Sequence, residues 1–281
     1  GLGFAIAQEL IREGATVRIC ARNPEEVAAA VDRLGEQAGG QAVDVRDASQ
    51  LRAFMTWAAE SMGGIDILVN NAGGAHPGSF EALSDESLLA DFNIKVHSWF
   101  RAVKAALPWL RLSPAPRVIN IGSVYARMPD FRFFSTTVNR AAGLNLTKAL
   151  AQELADDRIL VNAVNIGCVE TPQWANIHQK RAPEKSADEF FAELAADEIP
   201  LARFGKPEEV SGIVAFLASD RASYITGPVS TSRAAWAATP ETRRDQWLNS
   251  AWRPPSADQR RSAMRSSPPP VSARISATTW S

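Results

Sequence analysis

Two glycines and one arginine carry the first chemical signal. Gly1-Leu2-Gly3-Phe4 runs straight into a helical pattern. Glycines at a helix start let backbone N–H groups approach a phosphate, with the positive end of the helix dipole behind them. A Gly-x-Gly of this kind also makes a simple turn, so the residues after it decide. A strand pattern over Thr16–Cys20 ends in Ala21-Arg22-Asn23. In a dinucleotide site the adenosine ribose lies at such a strand end; an acid there suits a free 2′-hydroxyl, and an arginine pairs with a 2′-phosphate. Arg22 without an acid at Ala21 therefore leans toward NADP, with NAD as the alternative, while a solvated arginine at a strand end gives the same residues. His76, His97 and His178 stand apart, without metal-ligand spacing, and Cys20 and Cys168 are too scattered for a metal site.

These residues need elements to place them. Helical spacing covers Leu2–Glu13, about Pro24–Ala38, Ala48–Met62, about Asp85–Leu110, Thr137–Ala155 and Pro207–Ala218. Between them lie strand patterns at Thr16–Cys20, Gln41–Val43, Ile65–Val69, Arg117–Ile121 and Leu160–Val164. Apolar strands alternating with amphipathic helices predict a parallel sheet covered on both faces. Right-handed crossovers make this a doubly wound, Rossmann-like α/β fold with its ligand crevice at the carboxyl ends of the strands. Such a fold leads into its glycine turn with a strand; here the chain starts inside the turn, so the first strand is expected to be missing.

The 281 residues are 46% hydrophobic with a formal net charge of −1, enough for one large α/β domain and unlike a strongly basic nucleic-acid binder. No apolar run approaches the ~18 residues of a membrane span, and two cysteines make no disulfide framework, so a cytoplasmic protein without a membrane partner is expected. Composition changes near Gly227. Residues 228–281 hold ten Ser, eight Arg, seven Pro and only four residues from Val, Ile and Leu. They show no helical or strand period, so 1–227 reads as the folded domain and 228–281 as a disordered tail replacing the last strand. A basic arm or a change of reading frame near Gly227 are other origins for it.

By this point the ordered motifs resemble the classical short-chain dehydrogenases/reductases, nearest to members like the 3-oxoacyl-carrier-protein reductases. The motifs are Gly1-x-Gly3, Asp44-Val45, Asn70-Asn71-Ala72-Gly73, Asn93, Ile121-Gly122-Ser123, Val161-Asn162, Arg203-Phe204-Gly205-Lys206-Pro207-Glu208-Glu209-Val210 and Tyr224-Ile225-Thr226-Gly227. The likeness covers about residues 1–227 and implies hydride transfer between a nicotinamide cofactor and a carbonyl or alcohol carbon of a small or acyl-chain substrate. It places Gly1, Gly3, Arg22, Asp44, Val45, Asn71, Ala72, Gly73, Gly167 and Thr171 at the cofactor. It also implies a serine that orients the substrate oxygen, a tyrosine that passes the proton, a lysine four residues later, and an asparagine on the preceding helix.

Ser123 and Asn93 match the serine and the asparagine. The other two positions are broken: Thr136 stands where the tyrosine is expected and Arg140 where the lysine is. A phenol has a pKa of about 10 and can be tuned toward neutrality, an aliphatic hydroxyl is far less acidic, and an arginine stays protonated. Losing a general acid costs about 10²–10⁴ in rate. Catalysis through Asn93, Ser123, Thr136 and Arg140 is thus expected to be impaired or unconventional, and a non-catalytic nucleotide-binding protein or a gene remnant are the alternatives. Tyr125, two residues after Ser123, could point into the crevice or pack on Met128 or Phe131. Gln173–Arg203 should form a helical lid, and the family's homotetramer depends in part on the last strand that the tail replaces.

Overall fold

In a computed structural model, residues 1–227, 229–232 and 274–278 are described. Three apolar runs form the middle of the sheet. They are β3 (Ile67–Asn70), β4 (Arg117–Ser123) and β5 (Leu160–Ile166), nearly every residue of which is buried. Such strands carry apolar side chains on both faces, and each face has its helical cover. One core holds Ile6 and Leu10 of α1 (Leu2–Arg12) and Val210, Val214 and Leu217 of α9 (Pro207–Ala218). The opposite core holds Leu51, Phe54 and Met55 of α3 (Ala48–Met62) and Ala102, Val103 and Leu110 of α5 (Ser98–Leu110). Among the described residues seven strands pair in parallel, in the order β2-β1-β7-β3-β4-β5-β6, which is the doubly wound fold the sequence pattern calls for.

The place that a leading strand takes in this topology lies between β1 (Thr16–Ala21) and β3. It is held by β7 (Arg274–Thr278), from the far end of the chain, with Ile275 opposite both Val17 and Ile67. Ile275 is 1% exposed. The Asp66 carboxylate accepts from the Arg274 backbone N–H at 2.9 Å and from its Nε at 2.9 Å, which pins the strand's start. The edge beyond β5 is β6 (Val229–Ser232), a strand of four residues. Of the stretch 228–281 expected to be disordered, these two segments are strands, and the remainder lies outside the described residues.

Two elements differ from their sequence reading. The strand placed at Gln41–Val43 is β2 (Ala38–Ala42), because α2 (Pro24–Leu34) stops at Gly35, whose φ of +85° ends the helix early. A Cβ on Gly40 would sit 2.6 Å from Val27 Cγ1, so this glycine lets α2 lie against the strand. The helix expected over Asp85–Leu110 is broken into α4 (Asp85–Phe92), a π-helical turn at Asn93–His97, and α5. A π turn adds residues to a helix without ending it, and so changes which side chains face inward. The remaining helices are α6 (Phe134–Glu153), α7 (Pro172–Arg181) and α8 (Ala187–Glu198). Among the described residues no helix is long and apolar enough to cross a membrane.

Candidate active site

The carboxyl ends of β3, β4 and β5 open into one cleft, where a doubly wound sheet places its ligands. Of the residues singled out in the sequence, Gly1, Gly3, Asn71, Gly73, Ser123, Thr136, Arg140, Gly167 and Thr171 line it together. Arg22, Asp44, Val45 and Ala72 do not line it. Arg22 and Asp44 follow β1 and β2 at the same sheet end, close enough for the Arg22 charge to act on Asp44. The Arg46 guanidinium hydrogen-bonded to Asp44, at 2.6 Å, is the larger influence and holds that carboxyl below its usual range. Val45 and Ala72 are buried. Asn93 is not a cleft residue: its Oδ1 faces the His97 ring at 3.1 Å within the π turn.

Buried polar contacts hold the cleft walls. Asn70 Nδ2 donates to Asn120 Oδ1 at 2.8 Å, Asn120 Nδ2 donates to Thr147 Oγ1 at 2.9 Å, and Thr147 Oγ1 donates to the Gly143 carbonyl at 2.9 Å. The chain ties β3 and β4 to α6, the helix that carries Thr136 and Arg140. Arg140 Nη1 donates to the Ile121 carbonyl at 2.7 Å and its guanidinium lies 5.8 Å from the centre of the Trp99 ring. Burial brings its pKa down to about 10, so it remains a cation at neutral pH. A Cβ on Gly73 would come within 2.7 Å of Arg140 Nη2, and the φ of Gly73 is +151°, so this position needs glycine on both counts.

Thr136 is 2% exposed, and its Oγ1 accepts from Lys95 Nζ at 2.8 Å and from the His76 backbone N–H at 3.1 Å. Lys95 is fully buried, in the π turn, with its Nζ 2.6 Å from Asp91 Oδ1. Asp91 is buried too, and accepts from four side chains: Lys95, the His76 ring at 2.8 Å, Ser135 Oγ at 2.7 Å and Asn139 Nδ2 at 3.0 Å. Burial opposes the Asp91 charge, but the hydrogen bonds from His76, Lys95 and Asn139 and the Lys95 charge outweigh it and hold the carboxyl well below its usual range. Burial, then the Arg140 charge, pushes the Lys95 ammonium down to about 7 against the pull of Asp91. Lys95, Asp91, His76, Ser135 and Asn139 have no site role in the sequence reading. The available signal was Asp91 and Lys95 four apart along a helical stretch, the spacing of an ion pair.

Two other cleft residues stay protonated. Tyr125 stacks on Phe133 at 5.1 Å, and burial raises its pKa. Burial likewise pushes the Cys168 thiol up to about 12, so it supplies no thiolate. Thr171 caps α7 by position without a side-chain cap bond. Beyond it, Trp174 packs edge-on to Phe204 at 5.0 Å, and Phe191 meets the same ring at 5.1 Å, which joins α8 to the start of α7, whose Pro172, Gln173 and Trp174 line the cleft.

The donor set fits a dinucleotide. The first turn of α1 has no acidic residue and no side-chain cap, which suits an anion at this helix end, and Gly1 adds no side chain to block the approach. Arg140 Nε is buried without a protein partner beside the same cleft, a donor awaiting an acceptor. A doubly wound α/β sheet with a glycine-lined cleft at a helix start and hydroxyls converging on it is the arrangement of a dinucleotide-binding protein.

Comparison with known proteins agrees. Residues 1–231 match the family model described as enoyl-(acyl carrier protein) reductase. A putative ketoacyl reductase of the monensin polyketide synthase from Streptomyces virginiae is 36% identical over 232 residues, 80% of this chain and 89% of the relative. A solved short-chain oxidoreductase from Pseudomonas aeruginosa PAO1, described as containing an atypical catalytic center, is 33% identical with a TM-score of 0.80 over 84% of this chain and 93% of that one. L-Sorbose reductase from Gluconobacter frateurii, solved with NADPH and L-sorbose, is 29% identical with a TM-score of 0.81 over 84% of this chain and 92% of that one. The chain belongs to the short-chain dehydrogenase/reductase family and is an NAD(P)-dependent oxidoreductase of that type.

Proposed function

We propose that the protein reduces a ketone on a small or acyl-chain substrate, such as a 3-oxoacyl group, with NADPH as the preferred cofactor. The observation that carries this reading is the convergence of Ser123, Thr136 and Arg140 on the cleft that also holds Gly1, Gly3, Gly73 and Thr171. Gly1 and Gly3 would face the diphosphate, Arg22 the 2′-phosphate, Asp44, Val45 and Asn71–Gly73 the adenine side, Arg140 the nicotinamide ribose, and Gly167 and Thr171 the carboxamide. When bound, the reduced nicotinamide supplies a hydride equivalent to the substrate carbon. The chain's part is to bind, orient and protonate. Ser123 at the end of β4 would orient the substrate oxygen, and Thr136 would donate toward it. Arg140 keeps the positive charge of the lysine position and takes no part in proton transfer.

The replacement of tyrosine by Thr136 and of lysine by Arg140 is thus read as a different proton path rather than loss of activity. The ketoacyl reductase and L-sorbose reductase relatives support the carbonyl class, and the NADPH of the latter supports the cofactor. Exposed Phe92 and Phe100, with the half-buried His97 ring between them, support association between copies, and two free thiols, Cys20 and Cys168, support the cytoplasm. Steady-state assays with a 3-oxoacyl thioester and with L-sorbose test the reading: NADPH consumption with either supports it, and no binding of NADPH in a fluorescence titration overturns it.

A further inference from the structure

We propose that Lys95, acting through the Thr136 hydroxyl, is the proton reservoir for the substrate oxygen, and that Asp91 and His76 connect it to solvent. The inference rests on the reductase reading above. It begins with the threonine. A hydroxyl has two lone pairs and one proton. On Thr136 both lone pairs are engaged, by Lys95 Nζ at 2.8 Å and the His76 N–H at 3.1 Å. Its proton must therefore point elsewhere, and Thr136 lines the cleft. The oxygen that cannot ionise by itself is thus set to pass on a proton that another group replaces.

That group has to hold a proton and release it near neutral pH. The charged groups facing Lys95 are Asp91 from α4 and Arg140 from α6, with His76 reaching it through Asp91 from the loop after β3. Arg140 and burial weaken the hold of Lys95 on its proton, while Asp91 restrains the loss, giving the value of about 7. Asp91 stays ionised and Arg140 stays protonated, so Lys95 is the member of this buried group that titrates. An ion pair serving stability alone has no need of a third partner on a residue that lines the cleft.

The step balances. As the substrate carbon gains its hydride equivalent, the carbonyl oxygen needs one proton. The Thr136 Oγ–H bond breaks as the new substrate O–H bond forms, and Oγ takes a proton from Lys95 Nζ, leaving a neutral amine. Asp91 Oδ1 lies 2.6 Å from that nitrogen and 2.8 Å from His76 Nδ1, and the His76 side chain is 61% exposed. A proton entering at the imidazole can pass by way of the carboxylate to restore the ammonium.

The test uses the full chain. Nitrogen-15 NMR of labelled lysine side chains should show one resonance that titrates near 7, is missing in Lys95→Met, and shifts in Thr136→Val. In reduction assays kcat/KM should fall above about pH 7. Lys95→Met and Thr136→Val should each lower kcat by about 10²–10⁴-fold, Lys95→Met should abolish that fall, and Thr136→Ser should recover most of the rate. A Lys95 resonance titrating at an ordinary lysine pKa overturns the proposal on the unmodified protein, and so does a Lys95→Met variant that keeps the wild-type rate and pH profile. NADPH binding by the wild type is read separately: its absence removes the reductase reading, while the titration still shows whether Lys95 can release a proton near neutral pH.

Discussion

The buried lysine makes a prediction about stability that needs no substrate. Lys95 titrates at about 7 in the folded protein against 10.5 unfolded. Between those values the unfolded chain binds more protons than the folded one, so stability must rise with pH. The full difference, about 3.5 units, corresponds to roughly 5 kcal/mol at about 1.4 kcal/mol per unit. From pH 6 to pH 9 the part realised is about 3 kcal/mol, or a Tm rise of roughly 6–12 °C for a domain of this size. Removing the charge in Lys95→Met should cancel that slope, while Asp91 keeps its bonds from His76, Ser135 and Asn139. The assay is urea unfolding by circular dichroism at several pH values, with the two proteins compared for slope rather than absolute stability. Parallel curves for wild type and Lys95→Met would refute the reasoning, because they would mean that Lys95 binds its proton equally well folded and unfolded.

Ile275→Ala should destabilise by about 2–5 kcal/mol in the same assay, since it opens a cavity between the two halves of the sheet; a loss under about 0.5 kcal/mol would be surface behaviour and would speak against β7 in the central position. Gly73→Ala should cost about 1–3 kcal/mol from its backbone conformation alone and should weaken NADPH binding as Arg140 is pushed aside, read by nucleotide fluorescence. Arg22→Ala should lower NADPH affinity by roughly 10–100-fold, a charge-assisted hydrogen bond of about 1.5–3 kcal/mol, and leave NADH affinity nearly unchanged; equal losses for both cofactors would remove Arg22 from the 2′-phosphate. Strong acid adds a second loss of the same sign as the lysine effect, in a lower pH window. The lowered pKa of Asp91 stabilises the fold above its unfolded value of 3.8, so stability should fall as pH drops below about 4, and Asp91→Asn should blunt that fall.

The fold was legible where apolar runs and helical spacing are strong. β3, β4, β5 and the helices on either face follow their periods because burial on both sides leaves no other arrangement. The cleft was legible through its glycines and hydroxyls, which mark turns at strand ends. Other features were hidden for physical reasons. β2 is rich in glycine and carries little apolar signal, so its pairing is fixed by β1 and by the close approach of α2. β7 is a short segment inside a Ser-, Arg- and Pro-rich stretch, and its burial depends on partners more than two hundred residues away in sequence. The π turn at Asn93–His97 changes which residues of the long helix face inward. It pairs Asn93 with His97 and turns Lys95 onto Thr136. No regular period reveals such a turn, and with it went Lys95, the ammonium hydrogen-bonded to the Thr136 hydroxyl.

Reductase activity in this cleft means transfer of a hydride equivalent from the nicotinamide to the substrate carbon. Incubating the protein with NADPH deuterated at the nicotinamide C4 position and a 3-oxoacyl thioester or L-sorbose, then analysing products by mass spectrometry, measures it. The predicted result is an alcohol carrying one deuterium on its carbinol carbon. Unchanged ketone, together with NADPH fluorescence that does not respond to the protein, would contradict it.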